Sequence, residues 1–180
     1  MTLEELNRLP LEQARAALER CCGARAWVEG MCAARPWPDH AALLTAAERA
    51  ADALEREDWL EAFAHHPRIG DREALRAKFA AAPAGGEPQR SAAAWARAEQ
   101  QGASAASEAT LDAFADGNRA YERRFGYIFI VCATGKSAGE MLALLRARLA
   151  NDPEVEFANA AREQRAITRL RLEKLLSEPA

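Results

Sequence analysis

Phe125-Gly126-Tyr127-Ile128-Phe129-Ile130-Val131-Cys132-Ala133 is the stretch on which the fold class turns. Aromatic and β-branched residues dominate it, the profile of a strand or of a fully buried segment. A strand needs a partner, and no second stretch of this kind occurs in the chain. The segment therefore reads as a buried irregular or helical piece crossing the core of an all-α protein.

Outward from it, strong helix formers (alanine, leucine, arginine and glutamate) dominate the sequence. Thr2-Leu3-Glu4-Glu5 matches a capping box. Leu11 to Cys22 carries a helical apolar stripe at Leu11, Ala14, Ala17, Leu18 and Cys21, with Gly23 as its stop. Ala24 to Ala34 predicts a second helix, closed by Arg35-Pro36-Trp37-Pro38. Asp39 to Leu54 predicts a third and Asp58 to Ala64 a short fourth. Further helices are predicted from Asp71 through Phe79, over Ser91 to Gln101, Ser107 to Arg124 and Ser137 to Leu149, and from Asp152-Pro153 to about Leu176. The proline- and glycine-rich run Ala81 to Pro88 is the clear loop. The expectation is a single-domain helical bundle over residues 1–180, of about eight to nine helices, with a flexible loop near 81–90.

Composition narrows the function classes. Of the 180 residues, 49% are hydrophobic and 28% charged, ordinary for a globular protein. A net charge of −3 and the lack of basic runs give no reason to bind nucleic acid. The run Tyr127 to Ala133 is too short to span a bilayer, and Met1 to Leu6 lacks the regions of a signal peptide. A cytoplasmic protein is expected, with no membrane partner. The four cysteines, Cys21, Cys22, Cys32 and Cys132, form no paired metal spacing and read as small buried hydrophobes. Thr134-Gly135-Lys136-Ser137 imitates the end of a phosphate loop. Position 130, where that motif needs glycine, is Ile130, so a turn with Ser137 capping the next helix is expected.

The residues able to carry chemistry are few. His65 and His66 are two of only three histidines, and a chain break at Pro67 and Gly70 follows them. Histidine is the default proton-transfer group near neutral pH, and the proline biases His66 out of the helical region. Either catalysis or a structural imidazole fits these facts, whereas His65 reads as a surface or packing residue. Glu99 with Gln100 is a second group, and Arg171 within Leu170-Arg171-Leu172 a third. An arginine there suits a bidentate grip on a carboxylate, although a surface arginine has the same local sequence.

The combination is more specific than its parts. Cys21-Cys22-Gly23, Trp27, Met31 and Arg35-Pro36-Trp37 come first. His66-Pro67-Arg68-Ile69-Gly70, Trp95 with Glu99-Gln100, and Asn118 with Tyr121 follow. Arg124-Phe125-Gly126-Tyr127, Val131-Cys132-Ala133, Arg148-Leu149 with Asn151, and Ile167 ahead of Leu170-Arg171-Leu172 complete the order. From about residue 5 to 176 the chain resembles the 2-oxo-4-hydroxy-4-carboxy-5-ureidoimidazoline (OHCU) decarboxylase family of uric acid degradation.

The resemblance implies an all-helical fold, a homodimer, no metal and no organic cofactor, and a reaction that removes CO2 from OHCU to give (S)-allantoin. It implies His66 as the catalytic histidine and Glu99 as a substrate-holding residue, which we also read as catalytic, holding His66 or the ureido nitrogens. Gln100 and Arg171 match substrate-holding residues, and Pro67 lies beside the ligand. Val131, Cys132, Ala133, Thr134 and Gly135 correspond to backbone contacts with the substrate ring. Ala96 stands where the family commonly has serine, so only a backbone contact is expected from it. Two other classes remain in view: a helical scaffold in which His66 merely caps a helix, and a different small-molecule lyase or hydrolase on the same fold.

Overall fold

The computed structural model describes residues 1–66, 95–134 and 136–177, of which 95–108 by backbone alone. Among the described residues there are eight helices and no strands. They are α1 Leu3–Arg8, α2 Leu11–Glu19, α3 Arg25–Ala33, α4 His40–Asp52, α5 Arg56–Ala64, α6 Trp95–Phe125, α7 Ala138–Arg148 and α8 Pro153–Ser177. The chain is thus all-α, as its composition predicts. The predicted helix over 71–79, the loop near 81–90, and Gly135 lie outside the described residues.

Local chemistry sets most boundaries. The Thr2 hydroxyl accepts from Glu5 N while the Glu5 side chain accepts from Thr2 N, closing the expected capping box. Asp39 caps α4, and Ser137 caps α7 with a reciprocal bond from Glu140. Ser137 is therefore a helix cap, as expected, and just before it Lys136 N donates to Ala133 O at 3.0 Å. The start of α5 moves to Arg56, because Glu55 caps it and Asp58 closes the box from the third position. Gly126, at φ +81°, ends α6 in the left-handed conformation open to glycine.

Two expectations need correction. The two helices predicted over 91–101 and 107–124 are one helix of 31 residues, α6. Gly102 costs a helix interior only about 1 kcal/mol relative to alanine, and the neighbouring Ala103, Ala105 and Ala106 with no proline leave nothing to break it. Gly23 is not a left-handed stop either, since Gly126 is the one positive-φ glycine among the described residues. Gly23 is required for space: a Cβ there would lie 2.1 Å from His65 Cγ and 2.4 Å from His65 Cβ. Those atoms are close to the backbone and cannot swing clear. Gly23→Ala should destabilise the chain by about 1–3 kcal/mol through overpacking. A urea midpoint within experimental error of the parent would refute this account.

Contacts group the chain into two compact units. One comprises Met1–Pro67, Ile130–Cys132 and Phe157–Ala180. Here α3 packs against α2, α4 and α5, burying Leu18, Trp27, Met31, Leu43, Phe63 and Leu172. Trp27 satisfies its indole by donating to Ala47 O at 3.1 Å. Each large side chain buried this way contributes about 1.5–3 kcal/mol. Cys21 and Cys22 belong to this core, and burial pushes the Cys21 thiol up to about 11, so both stay protonated. All four cysteines are free thiols.

The other unit comprises Arg68–Phe129 and Ala133–Glu156. Its described part pairs α6 with α7 and buries Phe114, Tyr121, Met141 and Leu145. Tyr121 stacks among Phe125, Tyr127 and Phe129 at centroid distances of 4.6, 5.8 and 5.2 Å. At the start of α8, the fully buried Glu156 accepts from Arg148 Nε at 2.7 Å, Asn151 Nδ2 at 2.8 Å and the Tyr121 hydroxyl.

The deciding segment is irregular, as expected. Tyr127, Phe129, Ile130 and Val131 are buried outside any helix or strand. A buried backbone N–H must find an acceptor somewhere. For Cys132 that acceptor is a side chain: Glu163 Oε2 of α8 lies 2.7 Å from its nitrogen. A helix carboxylate thus does for this lone segment what a partner strand does in a sheet.

Candidate functional site

His66 follows directly from the way α5 ends. The helix stops at Ala64, His65 forms its C-cap, and His66 N donates to Phe63 O at 3.1 Å. The two imidazoles separate at this turn. His65, half-exposed, sets Nδ1 3.1 Å from Glu61 O and rests over Gly23, a packing role. His66 is half-buried and places Nε2 2.6 Å from Gln164 Oε1.

Gln164 is fully buried on α8, and its amide nitrogen donates to Thr168 Oγ1 at 3.3 Å. Gln164, Thr168 and Arg171 recur at i, i+4 and i+7, one face of the helix. Arg171 Nη1 reaches the carbonyls of Cys21 and Arg20 at 3.4 and 3.5 Å, the long end of hydrogen bonding. A cation beyond the end of α2 is favourably placed for those carbonyls. Among the described residues, the contacts of this guanidinium run through Nη1 alone. Its remaining donors suit the planar grip on an anion for which arginine is built.

One turn of α8 therefore ties down two segments that the sequence nominated. Gln164 holds His66, and its neighbour Glu163 holds the Cys132 N–H. Val131 is buried, Cys132 and Ala133 are half-buried, and Thr134 is exposed at the turn. Pro67 and Gly135 lie outside the described residues. So do the side chains of Ala96, Glu99 and Gln100, whose backbone belongs to the first turns of α6. The spacing of those three, i, i+3 and i+4, shares one helix face.

Sequence reading missed Glu163, Gln164 and Glu156. A usable signal existed: residues 156, 160, 164, 168 and 172 recur every four positions and are all buried. Polar Glu156, Gln164 and Thr168 on a stripe with Ala160 and Leu172 mark groups that need buried partners.

A separate cavity of about 290 Å³ lies among Trp27, Leu44, Trp59 and Thr168. At its edge Arg165 is neutralised by Glu48 and Asp52, at 3.0 and 2.7 Å. Among the described residues no group of three His, Cys, Asp or Glu side chains is placed to hold a metal, and no helix is long and apolar enough to cross a membrane.

The model of one protein family, OHCU decarboxylase, matches residues 7–173. The chain is 37% identical over 163 residues to the uric acid degradation bifunctional protein TTL of Arabidopsis thaliana, covering 89% of this chain and 46% of that protein. It is 38% identical over 63 residues to the 2-oxo-4-hydroxy-4-carboxy-5-ureidoimidazoline decarboxylase of Amia calva, covering 35% of this chain and 36% of that one. The chain thus spans about half the length, or less, of these curated relatives. Among solved structures, an OHCU decarboxylase crystallised in the presence of (S)-allantoin superposes with a TM-score of 0.66 at 31% identity, over 89% of this chain and 96% of that one. An (S)-allantoin synthase superposes with the same TM-score at 18% identity, over 98% of this chain and 54% of that one, a likeness of fold alone.

Proposed function

The chain belongs to the OHCU decarboxylase family, and from that premise we propose that it converts OHCU to (S)-allantoin and CO2, as a carboxy-lyase of uric acid degradation. The observation that carries this is the family match across residues 7–173. It is supported by a half-buried histidine, His66, whose Nε2 lies 2.6 Å from the oxygen of a buried amide, and which we take as the catalytic histidine from the resemblance.

The chemistry suits residues without a cofactor. Breaking the carbon–carboxylate bond leaves an electron pair on the ring carbon, and the adjacent imine-type conjugation of the ring accepts it. No lysine Schiff base or metal is then needed as an electron sink. The protein must hold the departing carboxylate out of the ring plane and deliver a proton to one face only. In our proposal His66 is the acid-base group, managing a substrate proton before CO2 leaves and the incoming one afterwards. Arg171 holds an anionic oxygen. Glu99 is the second catalytic group, Gln100 binds ring amide edges, and the Val131–Gly135 backbone, Pro67 and the Ala96 backbone complete the substrate contacts. The chain acts as one domain over residues 1–180, as a cytoplasmic homodimer.

OHCU decays spontaneously, so the test generates it in place from urate with uricase and hydroxyisourate hydrolase. With this protein added, circular dichroism should report rapid formation of one-handed allantoin. Decay at the uncatalysed rate to racemic product would overturn the proposal.

A further inference from the structure

We propose that Gln164, with Thr168 behind it, is a positioning residue that locks His66 in the Nε2–H tautomer and makes Nδ1 the proton-accepting atom. A fully buried primary amide has fixed roles: its oxygen only accepts and its nitrogen only donates. Gln164 Nε2 donates to Thr168 Oγ1, which turns Oε1 toward His66 Nε2 at 2.6 Å. A contact that short with an oxygen that cannot donate requires the hydrogen on the imidazole side. The neutral ring then carries its lone pair on Nδ1.

Thr168 fixes which way the amide faces. Its Oγ1 takes a hydrogen from the amide nitrogen at 3.3 Å, which leaves the amide oxygen for the imidazole. The reversed amide would set two hydrogens, from Gln164 and from Nε2–H, against each other unless the ring moved its proton to Nδ1. The row Thr168, Gln164, His66 is therefore directional. Its orientation originates in the middle of α8 rather than on the α5 terminus that carries the histidine. This is the second-partner logic by which an orienting group fixes a histidine tautomer.

The tautomer follows from the geometry alone. Its consequence for proton transfer from substrate rests on the decarboxylase proposal. Long-range proton–nitrogen NMR of the 15N-labelled full chain, above the titration of its three histidines, reads the tautomer without substrate. His66 is identified by the signal missing in His66→Asn. The wild-type spectrum should show a protonated Nε2 and a pyridine-type Nδ1. Gln164→Met, close in shape, should average the two nitrogens, and Thr168→Val should do so in part by freeing the amide to turn.

In turnover, Gln164→Met should lower kcat about tenfold or more, below the full about 10²- to 10⁴-fold of general acid-base catalysis, with KM little changed. Gln164→Glu keeps an acceptor for Nε2–H, so it should retain the tautomer and move the pH profile of kcat/KM to higher pH, because a carboxylate favours the imidazolium. An Nδ1–H ring in the wild type, or a Gln164→Met chain with unchanged tautomer or unchanged kcat, would overturn the proposal. A locked tautomer in a chain that does not decarboxylate OHCU would support the positioning role and refute the assigned reaction instead.

Discussion

In His66→Asn, turnover of OHCU should fall by at least about 10²-fold, the lower range of what a positioned acid-base group supplies, while the far-ultraviolet circular dichroism stays that of the parent. Asparagine is the informative replacement because it removes only the exchangeable proton site. It keeps a planar amide of similar width, able to hydrogen-bond Gln164, and the residue is half-buried rather than sealed in the core. Loss of activity then reports chemistry rather than collapse. The adjacent imidazole is an internal control of the same type. His65 packs over Gly23 with Nδ1 against Glu61 O, so His65→Asn should leave kcat within about threefold of the parent, far from the catalytic range. Near-normal turnover in His66→Asn, or equal losses in both variants, would remove His66 from the acid-base role.

What could be read from the sequence alone follows the range of the interactions. Capping boxes at Thr2 and Ser137 close over three residues, so the motif and the structure coincide. The segment 127–133 was legible by elimination, since a strand with no partner is not a strand. His66 stood out because titratable groups near neutral pH are scarce here and a proline follows it. Gln164 did not stand out, because a glutamine on an arginine-rich helix looks like a surface residue. Its burial depends on a partner 98 positions away in the chain. The same holds for Gly23: its neighbours suggest a helix stop, whereas the constraint is His65, brought against it by the packing of α5. The break misplaced near Gly102 is a matter of magnitude, a cost of about 1 kcal/mol being too small to end a 31-residue helix.

Glu156→Leu should cost about 3–5 kcal/mol of stability, the range for breaking a buried ion pair by removing one partner. The carboxylate is fully buried, and Arg148 beside it is 8% exposed. Without Glu156 the guanidinium keeps its charge, since arginine does not deprotonate in proteins. The face of Phe129, 4.8 Å from Arg148 Cζ, is a weak substitute for a carboxylate. The Tyr121 hydroxyl and Asn151 lose their acceptor at the same time. The double variant Glu156→Leu with Arg148→Met should therefore be more stable than Glu156→Leu alone, because it removes the buried charge as well. Acid titration gives an independent reading of the same cluster. Burial works to raise the Glu156 carboxyl, but hydrogen bonds from Arg148, Tyr121 and Asn151 outweigh it and hold the group below its ordinary 4.5. A depressed folded value means the carboxylate adds stability above the unfolded value, and that contribution is lost as pH falls through the folded one. Urea unfolding should show stability declining below about pH 4.5 in the parent and a shallower decline in Glu156→Leu. Parallel acid limbs in the two proteins, or a cost for the single variant no larger than for the double, would mean that the carboxylate is a passenger. The Tyr121 aromatic cluster would then carry this end of the unit by packing alone.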